Sequence, residues 1–520
     1  MTIRPTPDPV DAHPRGFQLW LVPDLAMAFA LGTLITLFFV MAGASGLFND
    51  ADTGWHIRTG ELIVSTGRLP HADPFSFSKP GEPWVAWEWG ADVFMGLTHL
   101  RAGLGGVALM YGLAIAACVA MWFRLSTAAG GNLLVACLFA LPMLPATSLH
   151  WLARPHVLSW LFLLGTVWLC EQMPHRLRRR HLALVAIAAA AWANCHASFF
   201  LAPAIALTYA AGAYIGPMVW QFPAQQVSEP VARRHRDYTM IALAASIGTL
   251  ANPYGWGLHR HVFAYLSGSR LLSHIEEFQS FDFHSKGAWQ VALTLVICFA
   301  GAFTALAARH PGRFLLSMML TTAGLYSVRA IPVAALIVLP LANGSITDVL
   351  ACADNLTPAV RRGIDSVLEC GDRLKRTERH FRGYGLIPLL AILIFASIRT
   401  RAGFPAGAYP VVGSVSVASL PASARILAPD TFGSYLIYRF DGRRKVFFDG
   451  RTDFYGPVLT ERYLRLLELR PGWRTEFNRW NFTHALLPPD YPMVDALEAN
   501  GWRELSRDGT AVLLTGSRLQ

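Results

Sequence analysis

The segment Asn49-Asp50-Ala51-Asp52-Thr53-Gly54-Trp55-His56-Ile57-Arg58 places two carboxylates two residues apart, with an imidazole and a guanidinium just beyond. Carboxylates so arranged can bind a divalent cation such as Mg2+ or Mn2+. They can also orient a phosphate leaving group through that cation, or accept a proton from an incoming hydroxyl. Arg58 can pair with phosphate oxygens. The competing reading is an Asp that caps the next helix, followed by an interfacial Trp. A second acidic pair, Glu276-Glu277, stands near Asp282, His284 and Lys286, as either a second catalytic element or a solvated loop. Arg154, His156, His196 and Arg329 sit at the ends of apolar runs. Ionisable groups there either face a polar cavity or snorkel to the interface, and the two arginines suit a lipid phosphate or pyrophosphate. In Asp449-Gly450-Arg451-Thr452-Asp453 the Asp-Gly step marks a turn, and Arg451 and Asp453 are candidates to contact an acceptor sugar.

What must position these residues is a membrane. The chain is 53% hydrophobic and only 15% charged, against about 25% charged in soluble domains. Stretches of about 20 apolar residues cross a bilayer. On that measure there are about eleven spans, centred near residues 35, 112, 140, 164, 190, 208, 246, 298, 321, 338 and 392. The first apolar run, Leu25 to Leu47, reads as an uncleaved anchor. The formal charge of +10 does not point to nucleic acid. Basic residues collect in cytoplasmic loops, and no base-reading motif accompanies them. None of the seven cysteines has CxxC spacing, which argues against a zinc cluster or disulfide framework.

Basic clusters fix the expected orientation. Arg176 to Arg180, Arg233 to Arg236, Arg309 to Arg313 and Arg373 to Arg382 all fall on one side if the spans are counted correctly. The N-terminus is then cytoplasmic and the C-terminus lies outside, in a bacterial inner membrane. Residues 1–400 form the transmembrane bundle, with a large first outer loop over 47–90. Residues 401–520 form a small periplasmic α/β domain. Apolar residues in Ser434-Tyr435-Leu436-Ile437-Tyr438 and Lys445-Val446-Phe447-Phe448 suggest strands there, and Thr460 to Leu469 suggests a helix.

The first outer loop resembles that of GT-C glycosyltransferases, especially the catalytic subunits of archaeal oligosaccharyltransferases. Those carry an Asp-x-Asp, then aromatic residues, His and Arg, then Pro and Asp. Here the later part reads Gly67-Arg68-Leu69-Pro70-His71-Ala72-Asp73-Pro74-Phe75-Ser76, then Gly81, Trp84, Trp87, Glu88 and Trp89. A bacterial group of GT-C membrane proteins is similar again at Ala153-Arg154-Pro155-His156, Trp192 to His196, Asn252 to Gly255, and Phe448 to Arg451. The resemblance implies a mainly α, GT-C-like helical bundle. By analogy Asp52 is the catalytic or metal-binding carboxylate, Asp50 its companion, and Glu276 and Glu277 match a late-loop Glu that organises the site. His56, Arg58, Arg154, His156, His196, Arg329 and Arg451 are the expected substrate-binding residues. The chain lacks a second-loop Asp-x-Asp and a Trp-Trp-Asp signature, so transfer to a glycosylation sequon is not implied. The resemblance implies a polyprenyl-phosphate sugar donor and a glycan, lipid or protein acceptor, as in cell-envelope polysaccharide assembly. The alternative is a non-catalytic membrane protein that binds or translocates a lipid-linked glycan. An ion-coupled transporter would place ionisable groups near mid-bilayer, and these spans are nearly free of them.

Overall fold

The computed structural model describes residues 18–173, 177–220, 229–268, 272–273, 275–399, 401–516 and 519. Pro174 to Arg176 of the first basic cluster lie outside the described residues. The apolar runs fold as helices because a lipid-facing backbone must satisfy its own polar groups. The principal ones are α1 Leu25–Ile35, α2 Asp52–Thr66, α3 Trp89–Ala128, α4 Leu133–Ser148, α5 Pro155–Glu171, α6 Arg179–Cys195 and α7 Leu201–Val219. They continue as α8 Glu229–Thr249, α9 Trp256–Leu266, α10 Ala288–Ala307, α11 Pro311–Tyr326, α12 Ile331–Ala351, α13 Pro358–Glu378 and α14 Leu386–Ile398. Every expected span centre falls within one of these helices. Among the described residues, four helical segments are long and apolar enough to cross a membrane: Trp89–Ala128, Ala197–Val219, Ala288–Ala307 and Val328–Ala351. Four shorter apolar helices accompany them. The chain is a multipass membrane protein.

Helix α12 is the hub. Its residues from Ile331 to Ser345 are buried except Val333, which is half-buried, and it packs against α10, α11, α4 and α3. Two helices matter most for the site. α2 lies across the first turns of α3, and the contact is made by glycine on both sides. A Cβ on Gly60 would fall 1.8 Å from the Asp92 carbonyl oxygen, and one on Gly96 would fall 2.5 Å from the Glu61 nitrogen. This approach brings His56 of α2 against Asp92 of α3. Beyond that crossing α3 breaks at Gly103, whose φ of 60° is a left-handed value that glycine adopts without a Cβ penalty.

The C-terminal portion holds a four-stranded sheet in the order β1-β2-β4-β3, from Ile426–Leu427, His484–Leu487, Arg503–Arg507 and Val512–Thr515. β1 runs parallel to β2, and the other pairs are antiparallel. The strand expected over Ser434 to Tyr438 is instead part of helix α15, Asp430–Arg439. Phe432 to Ile437 are all buried, so no polar face exposes a helical period, and short apolar runs are ambiguous by pattern alone. The strand expected over Lys445 to Phe448 does not form either: Val446 makes a single isolated parallel bridge to Ser76, and the chain bends at Phe447. The helix expected from Thr460 lies in α16, Thr452–Leu467.

Candidate active site

The segment 47–90, the turn between α4 and α5, and the C-terminal portion are sewn together around Asp52. The Ala153 N–H donates to the Leu47 carbonyl at 2.8 Å, and Thr53 Oγ1 donates to the Ala153 carbonyl at 3.0 Å. Tyr409 Oη donates to the Asn49 carbonyl at 2.5 Å. These bonds hold the Asp50–Asp52 turn against Arg154. Asp50 caps the turn by accepting from the Asp52 N–H at 2.9 Å, as in an Asx-turn.

Arg154 is the centre of charge. Its guanidinium lies 2.5 Å from Asp50 Oδ2, 3.1 Å from Asp52 Oδ2 and 3.7 Å from Glu277 Oε1. Glu277 also pairs with Arg329, whose guanidinium stacks on Phe278 at 4.8 Å. Asp52 is roofed from the C-terminal side. The Gly450 N–H donates to Ser434 Oγ at 3.0 Å, and Ser434 Oγ donates to Asp52 Oδ1 at 3.2 Å. A Cβ on Gly450 would stand 1.8 Å from Asp52 Oδ1, so only glycine fits over this carboxylate.

These groups line a cavity of about 1310 Å3. Its polar wall carries Asp50, Asp52, Glu88, Arg154, Glu277 and Arg329. Its apolar wall comes from Trp160 and Leu163 of α5, Leu201 of α7, and Leu320 and Ala323 of α11. One space therefore offers charge at one side and apolar helices at the other. Burial, then the charge of Asp50, push the Asp52 carboxyl up to about 7 against the pull of Arg154. Burial also raises Glu277, but Arg329 and Arg154 outweigh it and hold this carboxyl well below the usual carboxylate range. Two carboxylates in one cavity are thus set apart in acidity by their neighbours.

The expected residues divide. Asp50, Asp52, Glu277, Arg154, His156, His196 and Arg329 converge on the cavity. Glu276 is at the lining but exposed. The His156 Nε2 lies 2.9 Å from the His150 carbonyl. Arg58 does not reach the cavity. It donates to the Tyr438 carbonyl at 2.9 and 2.7 Å and pairs with Glu61 and Asp441, which clamps α2 to α15. The Arg451 side chain is also spent internally. It is among the cavity-lining residues, but it pairs with Asp449 at 2.7 Å and Asp73 at 2.9 Å, under the rings of Trp84 and Phe454, and so bolts residues 47–90 to the C-terminal portion. His56 is fully buried behind the wall. Asp453 does line the cavity, with Oδ2 3.1 Å from His261 Nε2. Sequence reasoning assigned no role to Glu88 or Asp92. Their signals were an acidic residue inside Trp87-Glu88-Trp89 and an Asp at the start of an apolar run, where ionisable groups are costly.

A divalent cation at Asp52 does not fit these donors. The guanidinium of Arg154 stands where a cation shared by Asp50, Asp52 and Glu277 would sit. Among the described residues no group of three or more His, Cys, Asp or Glu side chains is arranged to hold a metal ion.

No protein-family model matches the chain, and no curated protein matches it. Solved structures do. The oligosaccharyltransferase of Archaeoglobus fulgidus in its apo form is 11% identical, with 89% of this chain and 69% of that one covered and a TM-score of 0.50. The same enzyme tethered to an acceptor peptide containing the NVT sequon gives 12%, 89%, 68% and 0.50. ArnT from Cupriavidus metallidurans bound to undecaprenyl phosphate gives 13% identity, 94% and 97% coverage, and a TM-score of 0.46. The chain shares the fold of the Archaeoglobus fulgidus oligosaccharyltransferase. At this level of identity the likeness is one of fold, and the chemistry has to be argued from the cavity.

Proposed function

We propose that the chain is an integral-membrane glycosyltransferase that takes sugar from a polyprenyl-phosphate donor on the outer face of a bacterial inner membrane. The reading places the N-terminus in the cytoplasm and residues 401–520 on the periplasmic side. The observation that carries it is Asp52: a carboxylate titrating near neutrality in a cavity walled by two arginines on one side and membrane helices on the other. The apolar wall suits a lipid tail and the arginines suit its phosphate. An acceptor hydroxyl attacks the anomeric carbon, its proton passes to Asp52, and the carbon–oxygen bond to phosphate breaks with the electron pair leaving on phosphate.

The two arginines divide the work in this reading. Arg329, with 34% of its side chain exposed and one carboxylate partner, is the principal phosphate contact. Arg154, shared by three carboxylates, orients Asp52 and reaches phosphate second. The test uses right-side-out membrane vesicles supplied with labelled polyprenyl-phosphate sugars, with label traced into glycan, lipid and protein fractions. Transfer by the wild type and none by an equally expressed Asp52→Asn protein is expected, because an amide of nearly equal size cannot take the proton. Wild-type rates in that variant would overturn the reading.

A further inference from the structure

One carboxylate in the cavity wall has no part in that mechanism. Glu88, just before α3, keeps 10% of its side chain exposed and presents it to the cavity. Its Oε2 lies 3.6 Å from His56 Nε2 and its Oε1 lies 3.5 Å from His196 Nε2. His56 is fully buried, stacked on Trp55 with ring centroids 3.6 Å apart. Its Nδ1 meets Asp92 Oδ1 at 2.6 Å. The order from the interior outward is therefore Asp92, His56, Glu88, cavity. It is built by the glycine crossing of α2 on α3 described above. His56 Nε2 and Asp92 Oδ2 are buried and have no hydrogen-bond partner among the described residues. Such orphaned atoms are expensive to bury, and His56 Nε2 faces Glu88. His196 takes the Ser198 N–H on Nδ1 at 3.1 Å, which leaves the Nε2 proton directed at Glu88.

Resting on the reading above, we propose that Glu88 is a second catalytic residue of this cavity, the acid that protonates the departing phosphate, positioned by His56 and Asp92. The proton balance is closed. As the sugar–phosphate bond breaks, the phosphate oxygen keeps the electron pair and takes the Glu88 proton, while Asp52 takes the proton of the acceptor hydroxyl. Water in the cavity then carries the proton from Asp52 to Glu88, which lines the same space, and both carboxyls return to their starting states. His56 is neutral before and after. That agrees with burial, aided by Arg154, holding its pKa well below the ordinary value. Burial pushes the Glu88 carboxyl up to about 7, against Arg154 and Arg329 and with Asp453 and Asp52, so near neutral pH a substantial fraction of Glu88 carries the proton it has to give. His56 and Asp92 touch no substrate and are positioning residues.

The test is the affinity of the full-length protein for polyprenyl phosphate, the lipid product without sugar, between pH 5.5 and 8.5. A protonated Glu88 donates to the bound phosphate. Wild-type binding is expected to weaken about tenfold or more as pH rises through neutrality, the worth of one charge-assisted hydrogen bond. The phosphate's own ionisation acts in every variant, so the difference between wild type and Glu88→Gln isolates this carboxyl. The Gln variant keeps a donor at every pH and lacks the step. His56→Asn, which leaves Glu88 in place, is expected to move its midpoint, and it also serves if Glu88→Gln fails to fold. A step unchanged in both variants overturns the proposal. Because binding needs no turnover, it reads the Glu88 contact to phosphate even if no sugar is transferred, in which case the transferase reading and the catalytic role fall and that contact stands. If the wild type does transfer, Glu88→Gln should lower kcat at constant KM and recover with a pyrophosphate-linked donor, whose leaving group needs no proton. A purely structural Glu88 would show neither effect.

Discussion

Replacing Gly450 with alanine adds one methyl group at the point of closest contact between the C-terminal portion and Asp52. The new Cβ would fall 1.8 Å from Asp52 Oδ1, 2.5 Å from its Cγ and 2.7 Å from Oδ2. Carbon and oxygen need well over 3 Å, so the carboxylate must retreat by more than about 1 Å. It cannot do so and keep both Arg154 at 3.1 Å and Ser434 at 3.2 Å. One charge-assisted hydrogen bond is worth about 1.5–3 kcal/mol. A misplacement of about 1 Å in a reacting group costs on the order of a hundredfold in rate. The fold should survive, because Gly450 is not among the positive-φ glycines and the flanking Asp449–Arg451 pair at 2.7 Å is untouched. Gly450→Ala is therefore expected to insert and melt like the wild type and to transfer labelled sugar about a hundredfold more slowly. Added to Asp52→Asn it should cost little more, since both act on one group. A well-folded Gly450→Ala protein with wild-type turnover would show that the Asp52 position is not what the cavity depends on.

The two arginines should respond differently to lysine, which keeps the charge and loses the planar fork. Arg329→Lys is expected to raise KM for the donor about ten- to a hundredfold, whereas Arg154→Lys should chiefly lower kcat by releasing Asp52. Donor-dependence curves for the two variants check this, and identical profiles would refute the division of labour. The raised carboxyl of Asp52 also predicts a pH effect on stability. The folded state holds its proton up to about pH 7, against 3.8 for the free group. Its stabilising contribution is therefore complete below about pH 4 and is lost as pH rises through 7, by at most about 4 kcal/mol. Asp52→Asn abolishes that term. Melting temperatures in detergent should fall less between pH 5 and 8 for the variant than for the wild type, and parallel profiles would refute it.

Much of this protein was legible without coordinates. Hydropathy is summed over contiguous residues, so the apolar runs declared a membrane protein and located the helices by themselves. Ionisable residues at the ends of such runs are few and costly, which is why Asp50, Asp52, Arg154, His156, His196, Glu277 and Arg329 could be named and do converge. The tertiary structure decided how their charges are spent. Arg58 and Arg451 have the same chemistry as Arg154 and Arg329, yet close packing sends one to the Tyr438 carbonyl and the other to Asp73 and Asp449. Glu88 draws its chemistry from His56 and Asp92, joined to it only through the crossing of α2 and α3. The helix over Ser434 to Tyr438 escaped pattern reading because it is buried on every side that would have shown its period. The position of Gly450 over Asp52 was hidden for a related reason. A turn glycine and an interfacial carboxylate lie almost 400 positions apart in the chain, and a sequence read along its length carries no information about which distant backbone will leave room for one carboxylate and not for a methyl group.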